Sequence, residues 1–404
     1  MYSLRLVRGV FVVIFDRKIF SLLKGHLGVK QISVITGMRR TGKTTLVKQL
    51  LSGIDSENKL YIDLERIDNR EIFFEKNYDA ILKAFSERGL DLSKKCFVAI
   101  DEIQLVPQIA SVLKYLYDNF DMKFVVTGSS SYYLKNLFSE SLAGRKKVFE
   151  LFPLDFGEFL VFKGVSFSKG NFPNETISVA EFSRLKYFYD EFVEFGGFPE
   201  VVLSKNASEK KDLVSDIVSS YVNIDIKTLA DFQDSKNVYN LLKLLASRIG
   251  SRLDYSKLST VSGLARQTVL NYADFFEKTY LIKRLPVFSK RPDKEIVKAQ
   301  KLFFCDNGIA NFLAELGSGT QFENAVFNQL KNNGELGYYS LKSGKEIDFI
   351  LNKETAFEAK ESPTEQDLKN LQSLASKAGI KKTFLIGRNH VPKFSNYIWA
   401  GDIK

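Results

Sequence analysis

The stretch "ISVITGMRRTGKTTLVKQLL" limits the fold more than any other part of the chain. An apolar run, Ile32–Thr36, reads as a buried strand, and an apolar-periodic stretch, Thr44–Leu51, reads as a helix. Between them lies a loop bracketed by Gly37 and Gly42. Residues without a Cβ let such a loop turn its backbone N–H groups inward around an anion. Lys43 can reach the β- and γ-phosphates of a nucleotide, and the Thr44 hydroxyl can ligate Mg²⁺. The helix start adds the positive end of its dipole. A chance glycine turn would need neither the strand before nor the helix after, and both are present. The expected cradle is Gly37, Arg40, Thr41, Gly42, Lys43, Thr44 and Thr45.

Two further strand ends belong with it. "CFVAIDEIQ" runs apolar from Cys96 to Ile100 and then meets Asp101 and Glu102. Asp101 would hold Mg²⁺ through water, and Glu102 would polarise the attacking water. An acidic turn after a strand is the plainer reading, and the upstream loop weighs against it. "KFVVTGSSS" ends in Thr127-Gly128-Ser129-Ser130. Ser129 is the choice for a γ-phosphate sensor, although a serine capping a helix would look the same.

A chain of 404 residues should hold two or three domains. Its 45% hydrophobic and 26% charged content is ordinary globular material, which argues against a disordered or fibrous chain. A formal net charge of +10 suits an anionic partner such as nucleic acid, with a membrane surface as the competitor. No apolar run reaches the length of a spanning helix, so no membrane partner is expected. "RGVFVVIFDR" near the start mimics a signal peptide, but it is short, is followed by Asp16-Arg17 and lacks a small-residue cleavage site, so it reads as mature chain. Cys96 and Cys305 sit in apolar runs with neither disulfide nor zinc spacing, which fits a cytoplasmic location.

Strands and helices alternate to about Leu151, which implies an α/β fold with a parallel sheet and helices on both faces. A helical stretch, Val179–Phe195, is then broken by "FGGFPEVV". From Val238 the pattern becomes an amphipathic helix, another helix, a turn at Ser262-Gly263-Leu264, a helix over Ala265–Lys278 and a hairpin-like wing. This is a winged helix-turn-helix pattern. A DNA reader would bring Arg266, Gln267, Thr268 and Asn271 to base edges, whereas a lid or protein contact would use the same fold differently.

The C-terminal part carries a second constellation. "FENAVFNQL" is an amphipathic helix bearing Glu323, "EIDFIL" a strand with Asp348, and "AFEAK" a strand with Glu358 and Lys360. Paired as a hairpin, Asp348 and Glu358 could share Mg²⁺ while Lys360 orients water. Alternating charges on a half-exposed strand are the plainer account. The acid–E–x–K order with a helix acid is the logic of PD-(D/E)XK nucleases.

Taken in order, "ITGMRRTGKTTL", "AIDEIQ", "VTGSSS", "LAGRKKVFELFPLDFGEF", "FGGFPEVV", "KLFFCDNGI", "FENAVFNQL" and "EIDFI" followed by "EAK" resemble the AAA+ type P-loop ATPases near the archaeal-ATPase group. Those proteins carry a C-terminal domain of unknown function that resembles a PD-(D/E)XK nuclease. The resemblance implies ATP and Mg²⁺ at Lys43, Thr44 and Asp101, with Glu102 as the catalytic carboxylate. It also implies an arginine, Arg145, reaching a nucleotide in cis or from a neighbouring subunit of a homo-oligomer. The expected organisation is a P-loop NTPase core at 1–160, a helical lid or linker at 161–235, the winged helix-turn-helix at 236–295 and an α/β restriction-endonuclease-like domain at 296–404. The leading expectation is an Mg²⁺-dependent ATPase coupled to DNA binding and to DNA cleavage. The other is a nucleotide-switched scaffold whose C-terminal domain binds without cutting.

Overall fold

The computed structural model describes residues 2–7, 10–75, 77–128, 142–168, 172–173, 177–226, 235–289, 299–389 and 394–403. The chain divides into two compact units. Unit 1 holds Met1–Phe152 with Lys278–Tyr280, and unit 2 holds Pro153–Glu277 with Leu281–Lys404.

Unit 1 begins with two strands, β1 (Tyr2–Val7) and β2 (Val10–Phe15), paired antiparallel. The apolar part of the run that mimics a signal peptide, Val10–Phe15, is therefore a sheet strand. Helix α1 (Ile19–His26) leads into β3 (Ile32–Thr36), followed by α2 (Lys43–Ser52), β4 (Lys59–Asp63), α3 (Ile67–Phe74), α4 (Tyr78–Glu87), β5 (Cys96–Asp101), α5 (Ile109–Asn119), β6 (Met122–Gly128) and β7 (Lys146–Glu150). The five strands β3 to β7 form one sheet in the order β4-β5-β6-β3-β7, with every neighbouring pair parallel. Both faces are covered, so the central strands are nearly continuous apolar runs. Alternate side chains go to opposite faces. Ile32, Val34, Val98, Ile100, Phe124 and Val126 join one core with Phe85 and Leu113, while Ile35, Ala99 and Val125 join another with Leu46 and Leu50 of α2. The short helix α3 has little amphipathic signal in the sequence and was not expected.

Unit 2 is helical at first. A capping box, in which the Asp155 side chain accepts from the Glu158 N–H, starts the helix Phe156–Phe162. Helices Val179–Phe195, Pro199–Leu203 and Ala207–Ser220 follow. Where the winged helix-turn-helix was expected stand the helix Tyr255–Ser262, a left-handed C-cap at Gly263 with φ 70°, and the helix Arg266–Lys278. Two strands, β8 (Ile282–Leu285) and β9 (Lys301–Phe304), pair antiparallel after it; residues 290–298 between them lie outside the described residues.

Helices Asn307–Leu313 and Ser318–Leu330 precede a second sheet. Its strands are β10 (Leu336–Ser340), β11 (Glu346–Leu351), β12 (Thr355–Lys360), β13 (Lys382–Gly387) and β14 (Tyr397–Trp399), in that spatial order. The β10-β11 and β11-β12 pairs are antiparallel, and β12-β13 and β13-β14 are parallel. Helix Glu365–Ala378 packs Leu371, Leu374 and Ala375 on Ile347, Ile350 and Leu385 of this sheet.

Two sequence motifs lock together inside unit 2. Asp306 Oδ2 accepts from the Gly197 N–H at 2.8 Å, and Oδ1 accepts from the Ile309 N–H at 3.1 Å. A Cβ on Gly197 would lie 2.2 Å from the Leu154 carbonyl oxygen, and one on Gly308 would lie 2.2 Å from that of Phe195. Gly197 of "FGGF" and Gly308 of "CDNG" are thus required by backbone-to-backbone approach.

Candidate nucleotide site and C-terminal carboxylate cluster

The nucleotide-site residues gather where parallel strands end and helices begin, the usual position for a ligand on an open α/β sheet. Gly37 follows β3 so closely against the next strand that a Cβ there would sit 2.1 Å from the Leu151 carbonyl oxygen. Gly42, left-handed at φ 94°, starts α2. Lys43 is 4% exposed, and its ammonium donates to the carbonyls of Gly37 at 3.0 Å and Met38 at 2.9 Å. Thr41 Oγ1 donates to the Met38 carbonyl at 2.9 Å, which closes the loop on itself.

Asp101 ties three elements together. Thr44 Oγ1 donates to its carboxylate at 2.6 Å, Tyr61 Oη donates at 2.8 Å, and Thr127 Oγ1 donates to its other oxygen. Burial, then the Asp101 charge, pushes the Tyr61 phenol well above its usual range, so it stays a donor. The Glu102 N–H donates to Thr127 Oγ1 at 3.0 Å. Glu102 itself is left-handed, at φ 56°, and its carboxylate accepts from the Gln104 amide. A hydroxyl and a carboxylate, both hard oxygen donors and adjacent, fit Mg²⁺.

Ser129 lies outside the described residues. Thr127, two residues earlier, makes the contacts between β5 and β6. Sequence reading also passed over Tyr61 and Arg17. Arg17 donates to the Thr41 carbonyl at 2.9 Å and to that of Phe152 at 2.7 Å, bracing the loop from behind. An arginine far upstream has no motif to reveal it.

The expectation for Arg145 in cis needs correction. Its carbonyl accepts from the Ile32 N–H at 2.8 Å, which puts it beside the first residue of β3. The cradle is at the opposite end of that strand, about 15 Å away at roughly 3.3 Å per residue. Its guanidinium grips the Asp118 carboxylate at 2.9 and 3.0 Å.

In unit 2, Arg266, Gln267 and Asn271 are exposed and Thr268 half-buried on one helix, and Gln267 Nε2 donates to Asn271 Oδ1 at 3.0 Å. The side chains are thus presented to solvent together.

Of the expected C-terminal carboxylates, Glu323 and Asp348 converge on a lysine that was not expected, while Glu358 stays with Lys360. Lys301, at the start of β9, has a side chain only 2% exposed. Its ammonium lies 2.8 Å from Glu346 Oε1, 3.5 Å from Glu323 Oε1 and 3.5 Å from Asp348 Oδ1. Burial alone would lower its pKa, but the charges of Asp348, Glu323 and Glu346 outweigh that and raise it. Asp348 Oδ2 accepts from the Ala359 N–H at 3.1 Å. Lys360 pairs with Glu358 at 3.1 Å at the edge of the cluster. Burial and the Asp348 charge raise Glu358 to about 8, against the pull of Lys360. Glu323 is raised to about 7 by burial and Asp348, against Lys301. Among the described residues no three metal-capable side chains stand as a metal-holding group. A shared Mg²⁺ at Asp348 and Glu358 therefore does not fit this arrangement as it stands, because the Lys301 ammonium meets Asp348 and the Lys360 ammonium meets Glu358. Lys301 and Glu346 were not expected from the sequence. The signal was present: Glu346 is two residues before Asp348 and so on the same face of β11.

Residues 29–160 match the family model of the AAA domain. Over those residues unit 1 is similar to the AAA domain family. Residues 187–320 and 318–400 match models of two domains of unknown function, DUF8612 and DUF4143. An uncharacterized protein of Haemophilus influenzae is 29% identical over 381 residues, covering 88% of this chain and 89% of its own. An uncharacterized protein of Methanocaldococcus jannaschii is 29% identical over 356 residues, covering 84% and 77%. Among solved structures, the Aeropyrum pernix ORC2 protein in its ADP form aligns at 12% identity with a TM-score of 0.37, covering 71% of this chain and 90% of its own.

Proposed function

We propose that the chain is an Mg²⁺-dependent ATPase whose nucleotide cycle is coupled to DNA binding by its C-terminal half. The observation that carries the ATPase reading is the knot of Thr44, Tyr61 and Thr127 hydroxyls on Asp101, with Glu102 next in sequence. Mg²⁺ bound there supplies charge neutralisation on the phosphates. Thr44 and Asp101 would supply its donors, Lys43 would turn from its loop carbonyls to phosphate oxygens, and Glu102 would hold the attacking water as base. DNA binding is supported by the exposed Arg266, Gln267 and Asn271 and by the +10 net charge.

For the C-terminal domain, binding without cutting is the better supported reading, because the Lys301 ammonium meets the carboxylates. Cleavage keeps one observation in its favour: β11 and β12 are neighbours, so Asp348 and Glu358 interact electrostatically beside Lys360. Nicking of plasmid, branched and single-stranded DNA with Mg²⁺ or Mn²⁺ separates the two, with Asp348→Ala as the control.

The ATPase reading is tested by two substitutions. Lys43→Ala should lose nucleotide affinity, because the loop loses the ammonium that reaches the phosphates. Glu102→Gln should keep ATP binding and lose about 10²–10⁴-fold in turnover, the usual scale of general-base catalysis. Equal turnover in Glu102→Gln and wild type would remove the base assignment.

A further inference from the structure

A buried lysine is ordinarily balanced by one carboxylate. Lys301 meets three, which arrive from two directions: Glu346 and Asp348 from the same face of β11, and Glu323 from the helix Ser318–Leu330. None of the three is left to swing freely. Asp348 Oδ2 is held by the Ala359 N–H, and Glu346 also accepts from Arg252 at 3.1 Å. Glu323 rests where even a Cβ on Gly250 would come within 2.6 Å of its Oε2. The ammonium also lies 5.6 Å from the centre of the Tyr338 ring. Three carboxylates thus face a single tethered ammonium.

We propose that Lys301 is the resident cation of this cluster, and that its ammonium, by occupying the place between the three carboxylates, keeps a divalent metal out. This rests on the binding-without-cutting reading of the C-terminal domain and supplies its physical cause. An ammonium donates three hydrogen bonds and needs oxygens near 2.8 Å or beyond, whereas Mg²⁺ needs them at about 2.0–2.1 Å. The two cannot share the centre. The ammonium is covalently tethered, so no dilution competes it away. A divalent ion would have to shed water and also drive a buried charge into solvent.

The experiment is Mn²⁺ titration of the nucleotide-free full chain, read by electron paramagnetic resonance of free Mn²⁺. Wild type and Asp348→Asn should bind identically, because the cluster takes no metal in either. Lys301→Met removes the charge and keeps the chain length. It should gain one Mn²⁺ equivalent at least tenfold tighter than any in wild type, and Lys301→Met/Asp348→Asn should lose it again. An Asp348-dependent Mn²⁺ in the wild type overturns the proposal, and that comparison stands even if Lys301→Met fails to fold. A folded Lys301→Met chain that gains no Mn²⁺ overturns it too. Neither ATP turnover nor DNA binding enters the readout, so failure here is distinct from failure of the proposed function.

Discussion

At the residue scale, Arg145 separates sequence order from spatial role. The family resemblance implied that the arginine of the "GR" pair reaches a nucleotide, but Arg145 stands directly before β7, at the end of the sheet far from the cradle, where Asp118 receives it. A role in trans on a neighbouring subunit's nucleotide remains a proposal with a clear test. Mixing Arg145→Ala with Lys43→Ala should restore part of the ATPase activity if each chain completes the other's site. An arginine placed at a γ-phosphate is worth about 10³–10⁵ in rate, so even partial complementation is measurable. Unchanged turnover in Arg145→Ala alone would assign the residue to its pair with Asp118. Thr127, inside the strand, donates to Asp101 and accepts from the Glu102 N–H.

At the element scale, the clasp between "FGGF" and "CDNG" holds the helices that precede the second sheet. Asp306 sits at its centre, fully buried, with burial raising its pKa from 3.8 to about 6 against the backbone N–H groups that favour the charge. The sign follows from linkage. A raised carboxyl pKa means the folded chain holds its proton where the unfolded chain has released it. Stability from this group is therefore greatest below pH 3.8 and falls as pH rises to about 6, with up to about one proton released on unfolding in that window. Glu323 and Glu358, raised to about 7 and about 8, extend the same downward trend. Lys331 is the cation facing Asp306, and its pKa is lowered by burial against the pull of Cys305 and Asp306. Chemical denaturation at pH 4, 5 and 6 should show a shallower decline for Asp306→Asn than for wild type. Parallel profiles would place the proton elsewhere.

At the scale of the whole molecule, DNA binding is the claim most open to a simple measurement. Each neutralised phosphate should add about 0.9 to the slope of log affinity against log salt on duplex DNA. Arg266→Glu should weaken binding and flatten that slope if its helix contacts the backbone or groove; unchanged affinity would leave the helix-turn-helix as a structural element. The sequence by itself determined the strand-loop-helix frame of the proposed nucleotide site. Strand-loop-helix order, β3 to the residue, Lys43, Thr44, Asp101 and Glu102 were all legible, because phosphate binding demands residues adjacent in the chain and parallel strands buried on both faces are written as unbroken apolar runs. It also placed Asp348, Glu358 and Lys360 on neighbouring strands, because strand periodicity is local. Only the tertiary structure decided that Arg17 and Tyr61 support the core and that Arg145 turns away from it. Only it brought Lys301, 47 residues before Asp348, into the carboxylates. Such contacts depend on which strand ends face one another across the fold, and no short-range pattern in the chain encodes that choice.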